Sequence, residues 1–401
     1  MRSAAFSLKR IKFIEMKKVI GTERKPIKLW LDDLEDGALE QAKNLANLPF
    51  AFKHIPIMPD SHQGYGMPIG SILATKGVVV PNAVGVDIGC GMCVMKTNIE
   101  NINIKELKKV LGTARKLIPL GFNWHDEAQD EALMPKDFEE LPIVSKHYTK
   151  ATKQIGSLGG GNHFIEIQKG DDGFIWVMIH SGSRNLGYNV AKWYNQAAIT
   201  LNERWHSSIT KNMEMAFLPI ETQEAKNYFT EMEYCVEFAL ANRKLMMTRM
   251  MESLQAVVGD FETGDLINES HNFAAWENHF DENVLVHRKG ATRAYEGEYG
   301  MIPGSQGTNS YIVKGLGNPE SFKSCSHGAG RKMGRKQAQR ELNLKDEIEL
   351  LKKKGVIHSI RNTKDLDEAT SAYKDIDVVM ENQKDLAEIV VELTPLAVLK
   401  G

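Results

Sequence analysis

The stretch from 155 to 187 decides the fold of this chain, and it reads IGSLGGGNHFIEI (155–167) and FIWVMIHSGSRNLG (174–187). Short apolar runs alternate here with glycine clusters, and this pattern is typical of strands joined by tight loops. The same pattern occurs at 54–97 and 286–334, whereas 188–258 is rich in methionine, with apolar residues every three or four positions. That spacing predicts helices, so strands and helices are expected from segments spread along the whole chain.

Helical patterns occupy most of the sequence between the glycine-rich segments. They predict helices within 30–52, 101–155, 188–258, 336–354 and 375–393, apart from a polar stretch at 123–140. Residues with evident chemistry are spread from Asp60 to Lys400, which is hard to reconcile with separately folded modules. The sequence therefore predicts one integrated α+β domain at 16–401, with β elements carrying a shared site and helices around it. Residues 1–15 are expected to be a dispensable extension, because Met16-Lys17-Lys18 resembles a second start.

Composition and charge limit the class of protein. The 401 residues are 42% hydrophobic and 25% charged, which is ordinary for a globular protein and unlike a disordered chain. There is no apolar segment long enough to cross a membrane, and four cysteines are too few for a disulfide framework. A cytoplasmic protein with no membrane partner is therefore expected. The net charge of -2 conceals a basic segment at 286–340 with a charge of +7, where a polyanion could bind.

Five side chains have the chemistry of metal ligands. Asp87 and Cys90 lie three residues apart among glycines, and His163, His180 and His271 each lie at a predicted strand end or in a polar loop. Five donors exceed the four of a closed tetrahedral site and suit two adjacent ions that share the thiolate. For any one of these histidines alone, a structural role is about as plausible as metal binding.

Cys90 also begins a Cys-x-x-Cys pair with Cys93, which suggests a redox motif or half of a zinc knuckle. There is no second cysteine pair, and the surrounding GCGMCVMKT does not resemble the start of a helix. We therefore expect Cys93 to pack as a small apolar residue.

Two loops are candidates for binding phosphate. No Gly-Lys dipeptide occurs, which excludes a Walker A loop, but PGSQGTNS (303–310) and SHGAGR (326–331) have small residues that expose backbone N–H groups. His327 lies in the second loop, just before Arg331 and Lys332. A neutral imidazole there could attack a phosphoryl group while the cations offset the developing charge. The alternative is an ordinary glycine loop with a surface histidine.

Nine motifs, together with the final Lys-Gly, resemble the RtcB family of RNA-splicing ligases, in order from about residue 26 to 401. They are MPDSHQGYGMPIGS, PNAVGVDIGCG, LGGGNHFIEI, HSGSRNLG, HNFA, RKGATRA, PGSQGTNSYIV, CSHGAGR and AYKDID. The resemblance implies a ligase that uses GTP and two manganese ions. Its substrates would be an RNA 3′-phosphate, or a 2′,3′-cyclic phosphate, and an RNA 5′-hydroxyl, as in tRNA splicing or RNA repair.

The resemblance also assigns the metal ligands position by position. Asp87, Cys90 and His163 would hold one manganese ion, and Cys90, His180 and His271 would hold the other. These donors favour Zn²⁺ over Mn²⁺ on affinity alone, so the expectation of manganese rests on the family.

The nucleotide site follows from the same resemblance. His327 would be the nucleophile that takes GMP from GTP, and Asp60 and Glu166 would act beside it or towards the substrate. The residues expected around GTP are Asn162, His163, Phe164, Ile165, Glu166, His271, Asn272, Pro303, Gly304, Ser305, Gln306, Ser310, His327, Gly328, Ala329, Gly330 and Lys400. Gln306 stands where many members have methionine. The apolar run at 393–399 is expected to pack along the domain so that Lys400 reaches the nucleotide.

Other functions remain open on the residues alone. A binuclear metallo-phosphoesterase that hydrolyses cyclic or terminal RNA phosphates would use the same five ligands, but it has no need of SHGAGR or Lys400. A noncatalytic RNA-binding protein has no need of an intact ligand set. The physiological RNA, the oligomeric state and a requirement for an archease-like activator protein also stay open.

Overall fold

A computed structural model describes residues 16–209 and 211–401, so the predicted extension at 1–15 lies outside the described residues. Within these ranges the strands are β1 (Lys18–Ile20), β2 (Ile27–Leu29), β3 (Ile55–His62), β4 (Ile69–Thr75), β5 (Val78–Val79), β6 (Gly91–Lys96), β7 (Phe164–Gly170), β8 (Ile175–Ser181), β9 (Leu218–Pro219), β10 (Ile267–Ser270), β11 (Asn272–His279), β12 (Glu282–Lys289), β13 (Ala291–Arg293), β14 (Tyr299–Ile302), β15 (Ser310–Gly315), β16 (Ser324–Ser326) and β17 (Ala387–Lys400).

The α-helices of the same ranges are α1 (Asp36–Asn47), α2 (Pro81–Val84), α3 (Ile104–Leu117), α4 (Val144–Gln154), α5 (Arg184–Arg204), α6 (Gln223–Val258), α7 (Arg335–Glu341), α8 (Leu344–Lys353) and α9 (Ile376–Glu381). Short 3-10 helices occur at Glu131–Leu133, Lys211–Met213, Pro319–Ser321, Thr363–Glu368 and Thr370–Ala372. The mixture confirms the predicted α+β class.

Two large sheets organise the fold. The six-stranded sheet has the order β1-β2-β3-β4-β12-β11, and the seven-stranded sheet has the order β10-β6-β8-β7-β17-β15-β14. Within the large sheets, β2 and β3 pair in parallel and the other described pairs are antiparallel. The six-stranded sheet combines strands from 18–75 and 272–289, and the seven-stranded sheet combines strands from between 91 and 400, so segments distant in sequence meet in each sheet, as expected for one integrated domain.

The C-terminal segment forms a central strand where a helix was predicted. The prediction of a helix over 375–393 is wrong beyond α9, which ends at Glu381. Residues 387–400 instead form β17, which pairs with β15 on one side and β7 on the other. The β-branched run Ile389-Val390-Val391 favours a strand, and two open sheet edges satisfy its backbone hydrogen bonds. The apolar tail is therefore packed along the domain, as the sequence predicted.

The helices are generally shorter than their patterns suggested. The pattern at 30–52 contains only α1, and the pattern at 336–354 is divided into α7 and α8, with Asn343 capping the second by accepting from Lys345 N at 2.9 Å. The methionine-rich block at 188–258 divides into α5 and α6. Helix α6 contributes buried side chains to two hydrophobic clusters, one with α4 and α5 and one with α3 and the seven-stranded sheet, so it acts as a scaffold.

The basic segment at 286–340 is not one exposed patch. Arg288 is buried and pairs with Glu277 in a bidentate manner, and Lys289 is buried as well. Part of the excess positive charge is therefore internal, because carboxylate and carbonyl oxygens in the core hold it there. Within the described residues, no helix has the length and apolar character needed to cross a membrane.

Candidate active site

The five predicted metal ligands converge at one edge of the seven-stranded sheet. Cys90 precedes the first residue of β6, and His180 lies near the end of the antiparallel β8, so both reach the same edge. His163 directly precedes β7, whose first residue pairs with His180. His271 follows the end of β10, where Ser270 pairs with Gly91. Because these neighbouring strands are antiparallel, the start of one lies beside the end of the next, which brings together residues that are far apart in the sequence.

The donor atoms form a continuous cluster. His163 Nε2 lies 3.0 Å from Asp87 Oδ2 and 3.4 Å from Cys90 Sγ. Cys90 Sγ lies 3.2 Å from His180 Nε2, which in turn lies 3.3 Å from His271 Nε2. The thiol is therefore the central member, next to one histidine on each side. The Cys90, His163 and His180 donors all lie within 4.8 Å of one another, close enough to hold a metal ion.

The protonation of this cluster suits a cation. Burial, and then the neighbouring Asp87 carboxylate, raise the pKa of the Cys90 thiol well above its usual value. Burial, and then neighbouring histidines, lower the pKa of His180 and His271 well below the usual value, so both imidazoles are neutral. A neutral imidazole is ready to bind a metal, whereas the thiolate needs a nearby positive charge to form.

Two side chains of α6 hold the loops that carry the ligands. The fully buried Arg243 donates to Gly89 O and Ser181 O, both at 2.8 Å, and to Ser270 Oγ at 3.2 Å. These three residues adjoin Cys90, His180 and His271 in the sequence. The neighbouring Asn242 accepts from Gly156 N at 2.7 Å and donates to Gly182 O at 3.0 Å.

Arg243 was not predicted as a site residue, although the sequence contained a signal for it. It lies at an apolar position of the α6 pattern, and a charged residue there must be paired inside the protein.

Glycine is required where the loops approach each other. A Cβ atom on Gly182 would lie 2.3 Å from Asp87 Oδ1, and one on Gly159 would lie 2.1 Å from His163 Nδ1. The glycine clusters of the sequence thus allow the backbone to approach the ligands closely.

His327 lies beside this cluster and is oriented by Asp60. Its ring centroid is 4.8 Å from that of His271, and its Nδ1 lies 2.6 Å from Asp60 Oδ2. Burial would raise the pKa of Asp60, but the charge of His327 and its hydrogen bonds lower it, so the carboxylate is ionised. An ionised carboxylate only accepts, so His327 Nδ1 carries a proton, and in the neutral form of the ring the lone pair is on Nε2.

A cavity of about 800 Å³ opens onto His327. This volume is within the range of small-molecule and cofactor sites. Predicted residues that line it are Asn162, Phe164, Glu166, His180, Pro303, Gly304, Ser305, Gln306, His327, Gly328, Ala329, Gly330 and Lys400. The two glycine loops at 303–310 and 326–331 therefore meet at one cavity.

Five predicted nucleotide contacts do not line the cavity. Two of them, His163 and His271, belong to the cluster of predicted metal ligands, and the other three lie elsewhere. Ile165 packs in a hydrophobic cluster of the core. Ser310 Oγ accepts from Gly304 N at 3.1 Å within the candidate phosphate-binding loop at 303–310. Asn272 accepts from Gly290 N at 2.7 Å and donates to Asp87 O at 3.1 Å. These three residues hold the walls of the site and are not among the residues that line the cavity.

Glu368 anchors one end of the cavity and was missed from the sequence. Its buried carboxylate lies 3.1 Å from Arg331 Nη1, 3.0 Å from Arg335 Nε and 3.8 Å from Lys400 Nζ, and it also accepts from the Tyr373 hydroxyl. Burial would raise the pKa of Glu368, but these cations, Lys400 first, lower it. The segment DLDEAT that contains Glu368 has no motif, and only the tertiary structure brings its partners together.

The structure separates two arginines that the sequence grouped in one basic patch. Arg335 lies in the cavity wall beside Glu368, whereas Arg293 pairs with Glu298 at 3.0 Å, where both side chains are more than a third exposed, and does not line the cavity. Cys93 is fully buried in an apolar cluster, which confirms its predicted packing role.

The chain is similar to known proteins over almost its whole length. The chain matches a family model described as "tRNA-splicing ligase RtcB" at residues 41–142 and 134–401. The RNA-splicing ligase RtcB of Escherichia coli (strain K12) is 36% identical over 96% of this chain and 99% of its own length. The tRNA-splicing ligase RtcB of Thermococcus kodakarensis is 32% identical over 98% of this chain and 99% of its own length. That of Nanoarchaeum equitans is 32% identical over 95% of this chain and 96% of its own length.

The family model covers most of the sequence, and relatives above 30% identity align along almost all of it. The nine motifs that suggested the resemblance lie within these matches. The chain therefore belongs to the RtcB family of RNA-splicing ligases.

Proposed function

We propose that this protein is a GTP-dependent RNA ligase that joins an RNA 3′-phosphate, or a 2′,3′-cyclic phosphate opened to the 3′-phosphate, to an RNA 5′-hydroxyl. One observation carries the proposal. His327 lies between the cluster of predicted metal ligands and a cavity large enough for a nucleotide. Its Nδ1 donates to the buried carboxylate of Asp60, and its Nε2 has no partner among the described hydrogen bonds. A nucleophile held in its reactive tautomer by a second group is the arrangement that covalent catalysis requires. The names of the relatives support RNA joining as the overall reaction.

The donor cluster fits a pair of divalent cations. One side of Cys90 has His163 and Asp87, and the other side has His180 and His271, so each ion would have three protein ligands and share the thiolate. Two bound manganese ions would supply Lewis-acid stabilisation of the negative charge that develops on the reacting phosphates. Zinc would compete for the same donors.

His327 would carry the covalent step. Its Nε2 attacks the α-phosphorus of GTP, a P–N bond forms, and pyrophosphate leaves with the electrons of the P–O bond. The ring becomes an imidazolium, and Asp60 stabilises this charge because it accepts from Nδ1–H at 2.6 Å. An oxygen of the RNA 3′-phosphate then attacks the same phosphorus and releases His327. The 5′-hydroxyl oxygen finally attacks the activated RNA phosphorus and loses its proton to solvent, and GMP leaves with the electrons of the P–O bond that breaks.

The Glu368 end of the cavity is suited to GTP. Arg331, Arg335 and Lys400 supply positive charge there, while Glu368 keeps them paired and in place. Burial raises the pKa of Glu166 well above its usual value, and Glu166 Oε1 has no hydrogen-bond partner among the described residues. A buried polar atom of this kind is available to a ligand.

The test uses α-labelled GTP, manganese and an RNA pair with 3′-phosphate and 5′-hydroxyl ends. Label is expected to remain on the protein in a denaturing gel through an acid-labile, base-stable bond, and the RNA pair is expected to become joined. The His327→Ala variant should show neither result. Phosphate release from the RNA without label transfer or joining would favour the metallo-phosphoesterase instead.

A further inference from the structure

Two groups of the residues that line the cavity come from different segments of the chain. One group surrounds Glu368 and has been described above. The other, which we call the tyrosine subsite, consists of Glu35, His62, Gln63, Gly64, Tyr65 and Ile69. The tyrosine subsite adjoins the nucleophile. Asp60 holds His327 and lies two residues before His62, and a Cβ on Gly290 would lie 2.5 Å from Ile69 Cγ2 and 2.9 Å from His327 Cε1.

The backbone of the tyrosine subsite is fixed from both sides. Lys289 Nζ donates to Tyr65 O at 2.7 Å, and Gln41 donates to Gly64 O at 2.7 Å and accepts from Gly64 N at 3.1 Å. Gly66 has a φ of +68°, and a Cβ there would lie 2.7 Å from Glu214 O. These contacts hold the segment in one conformation, which determines where Tyr65 is placed.

Tyr65 is exposed although its backbone is held firmly. Its side chain is 73% exposed and lines the mouth of the cavity. Among the described hydrogen bonds none involves the Tyr65 hydroxyl, so the ring contributes little to stability. An aromatic plane that is fixed in position and left open at a cavity mouth is suited to stacking on a nucleobase.

His62 presents a hydrogen-bond acceptor in the same subsite. Its Nδ1 lies 3.1 Å from Asp60 O, and a carbonyl oxygen only accepts, so Nδ1 carries the proton. Burial lowers the pKa of His62 to about 4, so the ring is neutral and Nε2 has a lone pair. No partner for Nε2 is present among the described residues, and the side chain lines the cavity.

The charges of the two groups differ. The tyrosine subsite itself includes one carboxylate, Glu35, and no lysine or arginine. The cations Lys374 and Arg331, which line a neighbouring cavity together with Glu35 and His62, are bound by protein oxygens: Lys374 donates to Ser61 O, and Arg331 pairs with Glu368. The cationic residues that line the cavity, Arg331, Arg335, Lys336 and Lys400, all belong to other segments, and three of them surround Glu368. A terminal phosphate would favour the cationic group, whereas an uncharged terminus can occupy the tyrosine subsite without a counter-charge.

We propose that the tyrosine subsite binds the nucleoside at the 5′-hydroxyl end of the RNA, with its base stacked on Tyr65 and its 5′-hydroxyl donating to His62 Nε2. This proposal rests on the proposed ligase function. It assigns the RNA 5′ end to cavity residues other than those around Glu368. The hydroxyl is thereby held near the phosphorus that it attacks.

The first test measures sealing with an RNA 3′ end that has been activated beforehand, while the concentration of the 5′-hydroxyl strand is varied. Tyr65→Ala is expected to raise the KM for this strand by about 5- to 150-fold, the effect of losing one base–aromatic stack. Tyr65→Phe keeps the plane and should restore the wild-type KM. Tyr188→Ala is the matched control, because Tyr188 is an exposed aromatic residue on α5 that does not line the cavity.

The second test measures binding without GTP, by fluorescence anisotropy of labelled oligonucleotides. A 5′-hydroxyl strand should bind more tightly than the same strand with a 5′-phosphate, and His62→Ala should reduce this preference. Equal binding of the two strands, or an unchanged KM in Tyr65→Ala, would overturn the proposal. A raised KM for the 3′-phosphate strand instead would assign Tyr65 to the other RNA end and would overturn it as well.

The two proposals fail in different ways. Label transfer from GTP to His327 requires no RNA, so its absence in the wild-type protein contradicts the ligase function whatever the subsite binds. Wild-type label transfer and sealing together with an unchanged KM in Tyr65→Ala contradict only the subsite. If Tyr65→Ala loses label transfer and sealing in equal proportion, Tyr65 belongs to the nucleotide site and the proposal is wrong.

Discussion

The carboxylate of Asp60 binds His327 twice through one oxygen: Oδ2 accepts from the ring Nδ1–H at 2.6 Å and from the backbone N–H at 3.1 Å. The two contacts fix the position of the residue and the tautomer of its ring. Asp60 comes from β3 of the six-stranded sheet, whereas the neighbouring His271 follows β10 of the seven-stranded sheet. The proposed nucleophile therefore lies where the two sheets meet.

Asp60→Asn should slow the transfer of label from GTP to His327 by roughly 100-fold or more. The amide cannot stabilise the imidazolium, and it permits the wrong tautomer, as in other carboxylate–histidine pairs. The rate of label incorporation checks this, with metal content and circular dichroism as controls for folding. Label transfer at the wild-type rate would show that Asp60 does not orient the nucleophile.

Cys90→Ser should lose more bound metal than His163→Ala, because Cys90 Sγ lies between two histidines and His163 lies at one side of the cluster. A ligand shared by two ions contributes to the affinity of both. Elemental analysis after dialysis against manganese measures the loss. Cys93→Ala is the control, since Cys93 is buried among apolar side chains, and it should retain metal and ligation. Two full equivalents of manganese in Cys90→Ser would exclude the shared thiolate.

Lys400→Ala, or deletion of Lys400 and Gly401, should suppress guanylylation while the fold and the manganese content are kept. The Lys400 side chain is only 14% exposed and lies 3.8 Å from Glu368 Oε2, so its loss removes a cation from the predicted nucleotide end. Glu368→Gln should act in the same direction, because it removes the group that holds three cations. Arg293→Glu is the control, since its partner Glu298 lies outside the cavity wall. Full activity of the two-residue deletion would show that Lys400 is not needed for guanylylation.

Glu277→Gln should make the protein less stable at neutral pH, and the difference in stability from the wild type should become smaller in acid. Burial would raise the pKa of Glu277, but the charge of Arg288 and the hydrogen bond from His279 lower it to about 2 from 4.5. A lowered carboxyl pKa stabilises the folded protein above pH 4.5, and this stabilisation is lost as the pH falls towards 2. The shift corresponds to about 3 kcal/mol in the free energy of unfolding.

Urea unfolding at a series of pH values measures this effect. The difference between wild type and Glu277→Gln should be a few kcal/mol at pH 7, because the variant leaves Arg288 buried without its charge partner, and it should shrink between pH 4.5 and 2. Glu381→Gln is the matched control, since its pair with Lys384 is exposed. A difference that stays constant with pH would contradict the assignment of the shift to Glu277.

The sequence by itself determined the fold class, the family and the side chains of the metal-type cluster. Asp87, Cys90, His163 and His180 lie in or beside glycine-rich motifs, whereas His271 lies in the polar segment ESHNF. Glycine-rich motifs can be recognised from the sequence alone because a close approach of the backbone requires glycine at fixed positions. His327 was found for the same reason.

Only the tertiary structure decided the rest of the site. Glu368 lies in a polar segment without a motif, and the contacts of Arg243 lie in three loops distant in sequence. The segment at 387–400 became a strand because β7 and β15 offered it two open edges, which its own residues could not reveal. Pairing of buried charges and of sheet edges depends on partners from elsewhere in the chain, so local pattern predicts the residues that carry chemistry better than those that hold them in place.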